Sequence, residues 1–513
     1  MSIVSMINDF LGRVSRLILG GGREALDSQK KKGKLTVRER LDALLDRNSL
    51  LETDLFVEHS ARDFGMATKH LAGDGVVTGI GRIDDRPVAV FAQDFSVAGG
   101  SLGRAHASKI TKIMDTARDM QMPLIGINDS GGARIQEGVD SLCGYGEIFF
   151  RNTQLSGVVP QLSIILGPCA GGAVYSPALT DFVFVVDRIS NMFITGPQVI
   201  RTVLGEEISP EDLGGARTHT SITGNAHFFA STEYETFDQV RRLLSFLPSN
   251  CSERPPVFPA QQPRQPLTPE IIPDDRRKAY DVKDIIRGLV DASDFLEVHE
   301  LYARNIVVGF GRLEGRSVGI IANQPKVLAG VLDVDASDKA ARFIRFCDAF
   351  NIPLLTLVDT PGYLPGVDQE HSGVIRHGAK LLYAYSEATV PKMTVIMRKA
   401  YGGAYIAMCS RHLGANFVLA WPSAEIAVMG PEGAANIIFR KEIDDSQNPD
   451  VTRSEKIREY EEKFANPYVA AGKGYVDAIL LPQDTRAALC TVISVAKNSE
   501  HGRVSRRHGN FPV

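Results

Sequence analysis

Apolar residues fall along this chain in two alternating rhythms. Short runs are apolar nearly throughout: Val76 to Ile83, Pro87 to Ala92, Leu124 to Asn128, Leu162 to Leu166 and Phe182 to Val186. The same series returns as Val307 to Leu313, Val318 to Ala322, Leu354 to Val358, Met393 to Met397 and Phe417 to Ala420. Runs of this length without polar alternation predict strands buried on both faces. Between them apolar residues recur at helical spacing, as at Ile110, Ile113, Met114 and Ala117. Strands alternating with helices predict an α/β class with mostly parallel sheet.

The second half repeats the first. Arg82 aligns with Arg312 at a displacement of 230, and Lys109 with Lys339, Pro123 with Pro353 and Asp129 with Asp359 keep that displacement. With one residue inserted, Gly171-Gly172-Ala173 falls on Gly402-Gly403-Ala404. The repeat implies two domains of one fold, at residues 1–250 and 276–513. Residues 251–275 between them carry Pro255, Pro256, Pro259, Pro263, Pro266, Pro269 and Pro273, a density that predicts a stiff, exposed linker.

The ends are simpler. Residues 1–34 predict a helix laid on the surface and then a solvated basic run at Lys30, Lys31, Lys32 and Lys34. Thr36 with Glu39 three positions on predicts a capped helix start, and Val282 to Leu289 predicts the matching helix of the second half. Helices are also expected at Arg453 to Phe464 and Thr485 to Ala496, with His501 to Val513 as a basic docking tail.

A length of 513 residues suits two domains of about 200 each. A net charge of -4 with both signs interspersed argues against nucleic acid as partner. Six cysteines lie scattered, without C-x-x-C or a ligand spacing with histidine, which points to a reducing compartment and no metal. The segment Ile3 to Leu19 is too polar for a signal peptide, and no later apolar run reaches spanning length, so a soluble, cytoplasmic protein is expected.

Candidate chemistry sits in four glycine clusters at the ends of predicted strands. They are Asp129 to Arg134 (with Gly131, Gly132 and Ala133), Pro168 to Ala173 (with Ala170, Gly171 and Gly172), Asp359 to Gly362, and Ala400 to Tyr405 (with Gly402, Gly403 and Ala404). Glycine pairs at a strand end let the backbone turn and aim N–H groups outward, which favours negative charge. No phosphate-binding G-x-x-x-x-G-K-[ST], no dinucleotide fingerprint and no G-x-S-x-G accompanies them. What remains is a pair of oxyanion holes, one per half.

At these motifs the chain resembles the carboxyltransferase (beta) subunit of biotin-dependent acyl-CoA carboxylases. The resemblance is carried by Asp129 to Asp140, Gly167 to Asp181, Phe193 to Val199, Asp359 to Gly366, Arg376 to Lys380, Ala400 to Met408 and Trp421 to Gly433, and extends to His508 to Pro512. It implies duplicated ClpP/crotonase-like domains (β-β-α superhelix), the active site forming where the first half of one subunit meets the second half of another. It implies that N–H groups at Gly171 and Gly172 hold the thioester oxygen and those at Gly403 and Ala404 the ureido oxygen of biotin. Gly131, Gly132, Ala133, Arg134, Ala170, Tyr145 and Ile406 are then candidates for the acyl-CoA side, and Gly362, Tyr363, Gly402 and Tyr405 for the biotin side. The cofactor is biotin, as carboxybiotin on a carrier domain of another chain, with a CoA thioester as substrate. A homo-oligomer, by resemblance a hexamer, and a biotin carboxylase or carrier subunit are the implied partners.

The chemistry fits that assignment. An α hydrogen of a thioester is weakly acidic, so its carbanion needs delocalisation onto an oxygen held by fixed dipoles. The ureido anion released from carboxybiotin is expected to take that proton, so the protein need supply no general base. In the family the position of Ile406 influences acyl preference, and propionyl-preferring members commonly carry aspartate there; this chain departs from that pattern. The second half also resembles methylmalonyl-CoA decarboxylase and transcarboxylase subunits, which run the half reaction toward biotin; only the decarboxylase reading would bring a membrane, through a partner.

Other polar residues have blander expectations. Asp129 and Asp359 are expected to cap the turns after them. Arg134 is expected to pair with Glu137 in preference to CoA phosphates. His377 is expected on a helix face, and Tyr145, Tyr405 and Trp421 in packing. A crotonase-type hydratase without biotin would need a glutamate pair beside the first hole, for which Glu137 and Glu147 are the local candidates. A non-catalytic assembly partner is disfavoured by the glycine pairs in both halves.

Overall fold

A computed structural model describes residues 2–276, 278–496, 498 and 508–512. The chain forms two compact units, Met1–Glu253 and Arg254–Val513. In the first unit the strands are β1 (Leu51–Thr53), β2 (Val76–Ile83), β3 (Arg86–Gln93), β4 (Leu124–Ser130), β5 (Gln161–Ala170), β6 (Phe182–Val186), β7 (Asn191–Phe193) and β8 (Phe228–Ala230). They run in the order β1-β2-β3-β4-β5-β6-β8, with β7 paired to the far end of β5. Only the β1-β2 and β2-β3 pairs are antiparallel. The hairpin of β2 and β3 turns on Asp84 and Asp85 with φ of 51° and 63°, the left-handed pair that matches strand twist.

The second unit repeats this order. Its strands are β9 (Leu296–Val298), β10 (Ile306–Leu313), β11 (Arg316–Asn323), β12 (Leu354–Thr360), β13 (Lys392–Tyr401), β14 (Phe417–Ala420), β15 (Glu425–Ala427) and β16 (Ala478–Ile479). They run β9-β10-β11-β12-β13-β14-β16, with β15 on the far end of β13. The long apolar strands fall where the hydrophobic runs predict. The six strands of two or three residues are too short to show a pattern.

Matching helices, Arg104–Asp119 and Val334–Ala349, come after the third strand of each sheet and bury Ile110, Ile113 and Met114 in one case and Ala340, Phe343 and Ile344 in the other. Each buries a lysine too. Lys109 Nζ donates to the carbonyls of Gly73 and Val76, and Lys339 Nζ to those of His299, Tyr302 and Ile306, tying the helix to the loop that enters the sheet. The helix Val37–Leu44 carries the expected capping box of Thr36 and Glu39.

The proline-rich segment is mostly exposed but is anchored to the second unit: Leu267 lies in that unit's core, and the Phe258 N–H donates to the Gly315 carbonyl. One expectation needs correction: Lys34, read as part of a solvated run, is largely buried with its ammonium 2.7 Å from Asp129, and burial lowers its affinity for a proton. Of the expected tail, only 508–512 is described; there the Phe511 ring sits edge-on to Tyr383 at 5.4 Å with the Arg345 guanidinium 4.4 Å from its centre.

Candidate active site: two glycine nests at strand ends

Each nest is made by the end of one strand and the helical turn after it. In the first unit β5 ends at Ala170 in extended conformation, Gly171 turns left-handed with φ of 62°, and residues 171–174 enter a helical turn. In the second, Tyr401 is extended, Gly402 has φ of 57°, and the helix Gly402–Ala407 comes next. An extended, left-handed, then helical sequence turns successive N–H groups to one side, and those of a first helical turn have no partner inside the helix. A side chain at the left-handed position would strain the backbone, which is why glycine stands at both places.

Surroundings of the two nests differ. A Cβ at Gly172 would come within 3.1 Å of the Tyr145 ring, so that ring is the floor of the first nest. Tyr145 is buried, and burial raises its phenol well above the ordinary range. A Cβ at Gly403 would meet nothing within 4 Å, so the second nest opens to solvent. Ile406 on the same turn is 42% exposed. Tyr405 is half-buried, and its hydroxyl, like that of Tyr145, has no hydrogen-bond partner among the described residues.

The neighbouring glycine loops are matched as well. The Leu102 N–H donates to Gly132 and the Arg134 N–H to Leu102, just as Leu332 donates to Gly362 and Leu364 to Leu332. Gly132 and Gly362 have φ of 101° and 146°. A Cβ at Gly132 would lie 3.0 Å from the Ala170 carbonyl, which brings this loop against the first nest; Gly131 is exposed and Ala133 half-buried. Tyr363 packs its ring on Gly378 of the helix Val374–Glu387, and burial pushes its phenol up to about 12.

Arg134 is buried with Nη1 at 2.5 Å from Asp74 and 2.8 Å from Glu137. It holds the loop, and its guanidinium is not free for phosphates. The expected carboxylate caps are not formed either. Asp129 accepts from Lys34 at 2.7 Å and Arg40 at 2.8 Å, while Asp359 accepts from Tyr280 at 2.8 Å, Arg398 at 2.9 Å and the Lys399 N–H. Arg40 and Tyr280 lie far from these aspartates in sequence, so spacing gave no sign of either pair.

Among the described residues, the carboxylates and the thiol near the first nest are already engaged. Glu137 is taken by Arg134 and the Arg104 N–H, and Glu147 by Arg104 at 2.9 Å. Cys169 is buried, donates to the Ala173 carbonyl, and has its thiol pushed up to about 12 by burial. His377 sits half-buried on its helix and pairs with Asp338 at 2.8 Å. Trp421 is packed in the core.

Residues 28–511 match the family model of the carboxyl transferase domain. The chain belongs to the carboxyltransferase family of acyl-CoA carboxylases. It is 56% identical to the propionyl-CoA carboxylase carboxyltransferase subunit of Haloferax mediterranei, across 100% of both chains. It is 54% identical to the methylmalonyl-CoA decarboxylase alpha subunit of Propionigenium modestum, across 99% of both. The crystal structure of a transcarboxylase 12S hexamer with methylmalonyl-CoA bound superposes with a TM-score of 0.97, at 51% identity, across 100% of this chain and 99% of that one. The fold is thus the duplicated crotonase-like carboxyltransferase fold, and the chemistry is carboxyl transfer on an acyl-CoA. Among the described residues, no helix is long and apolar enough to cross a membrane.

Proposed function

We propose that this enzyme transfers a carboxyl group between carboxybiotin, carried by another chain, and the α carbon of a short-chain acyl-CoA such as propionyl-CoA or acetyl-CoA. The observation that carries the reading is the pair of matched nests, each begun by a left-handed glycine after the fifth strand of its sheet. N–H groups around Gly171 and Gly172 hold the thioester oxygen as it becomes an enolate oxygen. Loss of one such donor costs about 3 kcal/mol of transition-state stabilisation. The Tyr145 ring under Gly172 sets the depth at which that oxygen stops.

In the second unit Gly403 and Ala404 would hold the ureido oxygen of biotin, with Gly362, Tyr363, Gly402 and Tyr405 around it. Bound there, biotin supplies the carboxyl group and a nitrogen able to take the α proton. The chain's own part is to orient both carbonyls and to leave the α carbon free of competing side chains. That division agrees with Glu137, Glu147 and Cys169 all being occupied elsewhere. A homo-oligomer, a hexamer as in the 12S relative, is the proposed working form in the cytoplasm, with a biotin carboxylase or carrier subunit as partner.

The reverse direction is the second reading, favoured by the similarity to the decarboxylase relative. Purified protein incubated with free biotin and methylmalonyl-CoA, malonyl-CoA or no CoA ester tests the transfer chemistry that both readings share. Biotin-dependent loss of the CoA ester's carboxyl group is the expected result. Hydration of an enoyl-CoA with no transfer to biotin would overturn the assignment.

A further inference from the structure

Both sheets break register at the same place. In the first, Asn128 pairs with Ile165 and then Ser130 with Cys169, so Asp129 alone faces the three residues Leu166, Gly167 and Pro168. In the second, Val358 pairs with Ile396 and Thr360 with Ala400, so Asp359 faces Met397, Arg398 and Lys399. Each bulge lies immediately before a nest, and extra residues in one strand bend it and re-aim the segment beyond.

Each aspartate is tied to its bulge. Asp359 accepts from Arg398 Nε at 2.9 Å and the Lys399 N–H at 3.1 Å, both bulge residues, and from Tyr280 at 2.8 Å. Asp129 reaches its bulge through an arginine from elsewhere: Arg40 Nη1 donates to Asp129 at 2.8 Å while Nη2 donates to the Leu166 carbonyl at 2.8 Å. Glu233 takes Arg40 Nε at 2.8 Å, and Lys34 takes the same Asp129 oxygen as Arg40. Asp129, Arg40, Asp359 and Arg398 are all at most 5% exposed.

By the flanking register Gly167 and Arg398 hold the same bulge position. In the first unit a side chain there is impossible, since a Cβ at Gly167 would come within 1.9 Å of Asp129 Oδ1. The two units therefore place a buried carboxylate and guanidinium over the same bulge with the arginine drawn from different parts of the chain. Repetition of the contact without repetition of the residue marks the contact as what the fold needs. Filling space alone would be served by apolar side chains.

We propose that Asp129 with Arg40, and Asp359 with Arg398, are positioning residues that fix the bulge from which each glycine nest is aimed. The inference rests on the proposed roles of the nests for its effect on catalysis. Its structural half stands apart from those roles. Each pair should act on its own nest and leave the other unaltered.

The test uses full-length Asp129→Asn and Asp359→Asn with two readouts. Amide hydrogen exchange should quicken at least about fivefold over 397–407 in Asp359→Asn with 165–175 unchanged, and the converse in Asp129→Asn. In transfer from methylmalonyl-CoA to free biotin, Asp359→Asn should lower kcat at least about tenfold with the KM for the CoA ester within about twofold, whereas Asp129→Asn, which disturbs the nest that holds the enolate oxygen, should lower kcat and also raise that KM. Tyr280→Phe and Lys34→Met, which each remove one donor, should move the same quantities the same way by less, and they serve if an asparagine variant does not fold. Exchange that quickens equally in both segments, or nests and kinetic constants that stay as in the wild type, would overturn the proposal. Absence of transfer in the wild type would instead sink the functional reading, and the local exchange result would still decide the positioning role.

Discussion

Two glycines at equivalent places make different predictions because their neighbours differ. Alanine at Gly403 would meet nothing of the protein and suits a helical turn, so Gly403→Ala should hold or raise stability by up to about 1 kcal/mol. It should still lower biotin-dependent kcat, because the methyl stands in the mouth of the second nest. Gly172→Ala would press on the Tyr145 ring at 3.1 Å and should cost stability as well as activity. Denaturant midpoints alongside initial rates separate the two. Ile406→Asp should shift acetyl against propionyl preference, by a factor of about 10 to 200 if the side chain lines the acyl pocket; an unchanged kcat/KM ratio removes it from the acyl wall. The glycine clusters were legible in sequence because a left-handed turn after a strand admits few other residues. Arg40 and Tyr280 were not, because their partners come from distant segments brought together only by folding.

Among the elements, the helices Arg104–Asp119 and Val334–Ala349 carry the matched lysines. Burial pushes Lys109 down to about 8 and Lys339 down to about 7 from an ordinary 10.5. Over the window from those values up to the unfolded one, the unfolded chain binds more protons than the folded chain, so these lysines make stability rise with pH. Lys339→Met should flatten the rise between about pH 7 and 10 while lowering stability overall by about 1–3 kcal/mol, through carbonyls left without a donor. Urea midpoints at the two ends of that window measure it. An unflattened rise would mean that Lys339 does not titrate there. The helices and long strands were readable from periodicity, whereas the bulges before the nests were not: a register break depends on the partner strand, and single-strand pattern carries no trace of it.

For the whole molecule, duplication was plain in the sequence because aligned anchors kept one displacement. The anchoring of the proline-rich segment was hidden, since Leu267 looks like an isolated apolar residue until the second unit's core is there to receive it. The proposed chemistry turns on the two copies holding different carbonyls, one from the CoA ester and one from biotin. The decisive measurement is transfer from methylmalonyl-CoA to free biotin at rising fixed concentrations of unesterified CoA. With two separate sites, CoA should raise the apparent KM for methylmalonyl-CoA while that for biotin stays within about twofold. A rise of both together would mean one shared site and would contradict the division of labour between the two nests.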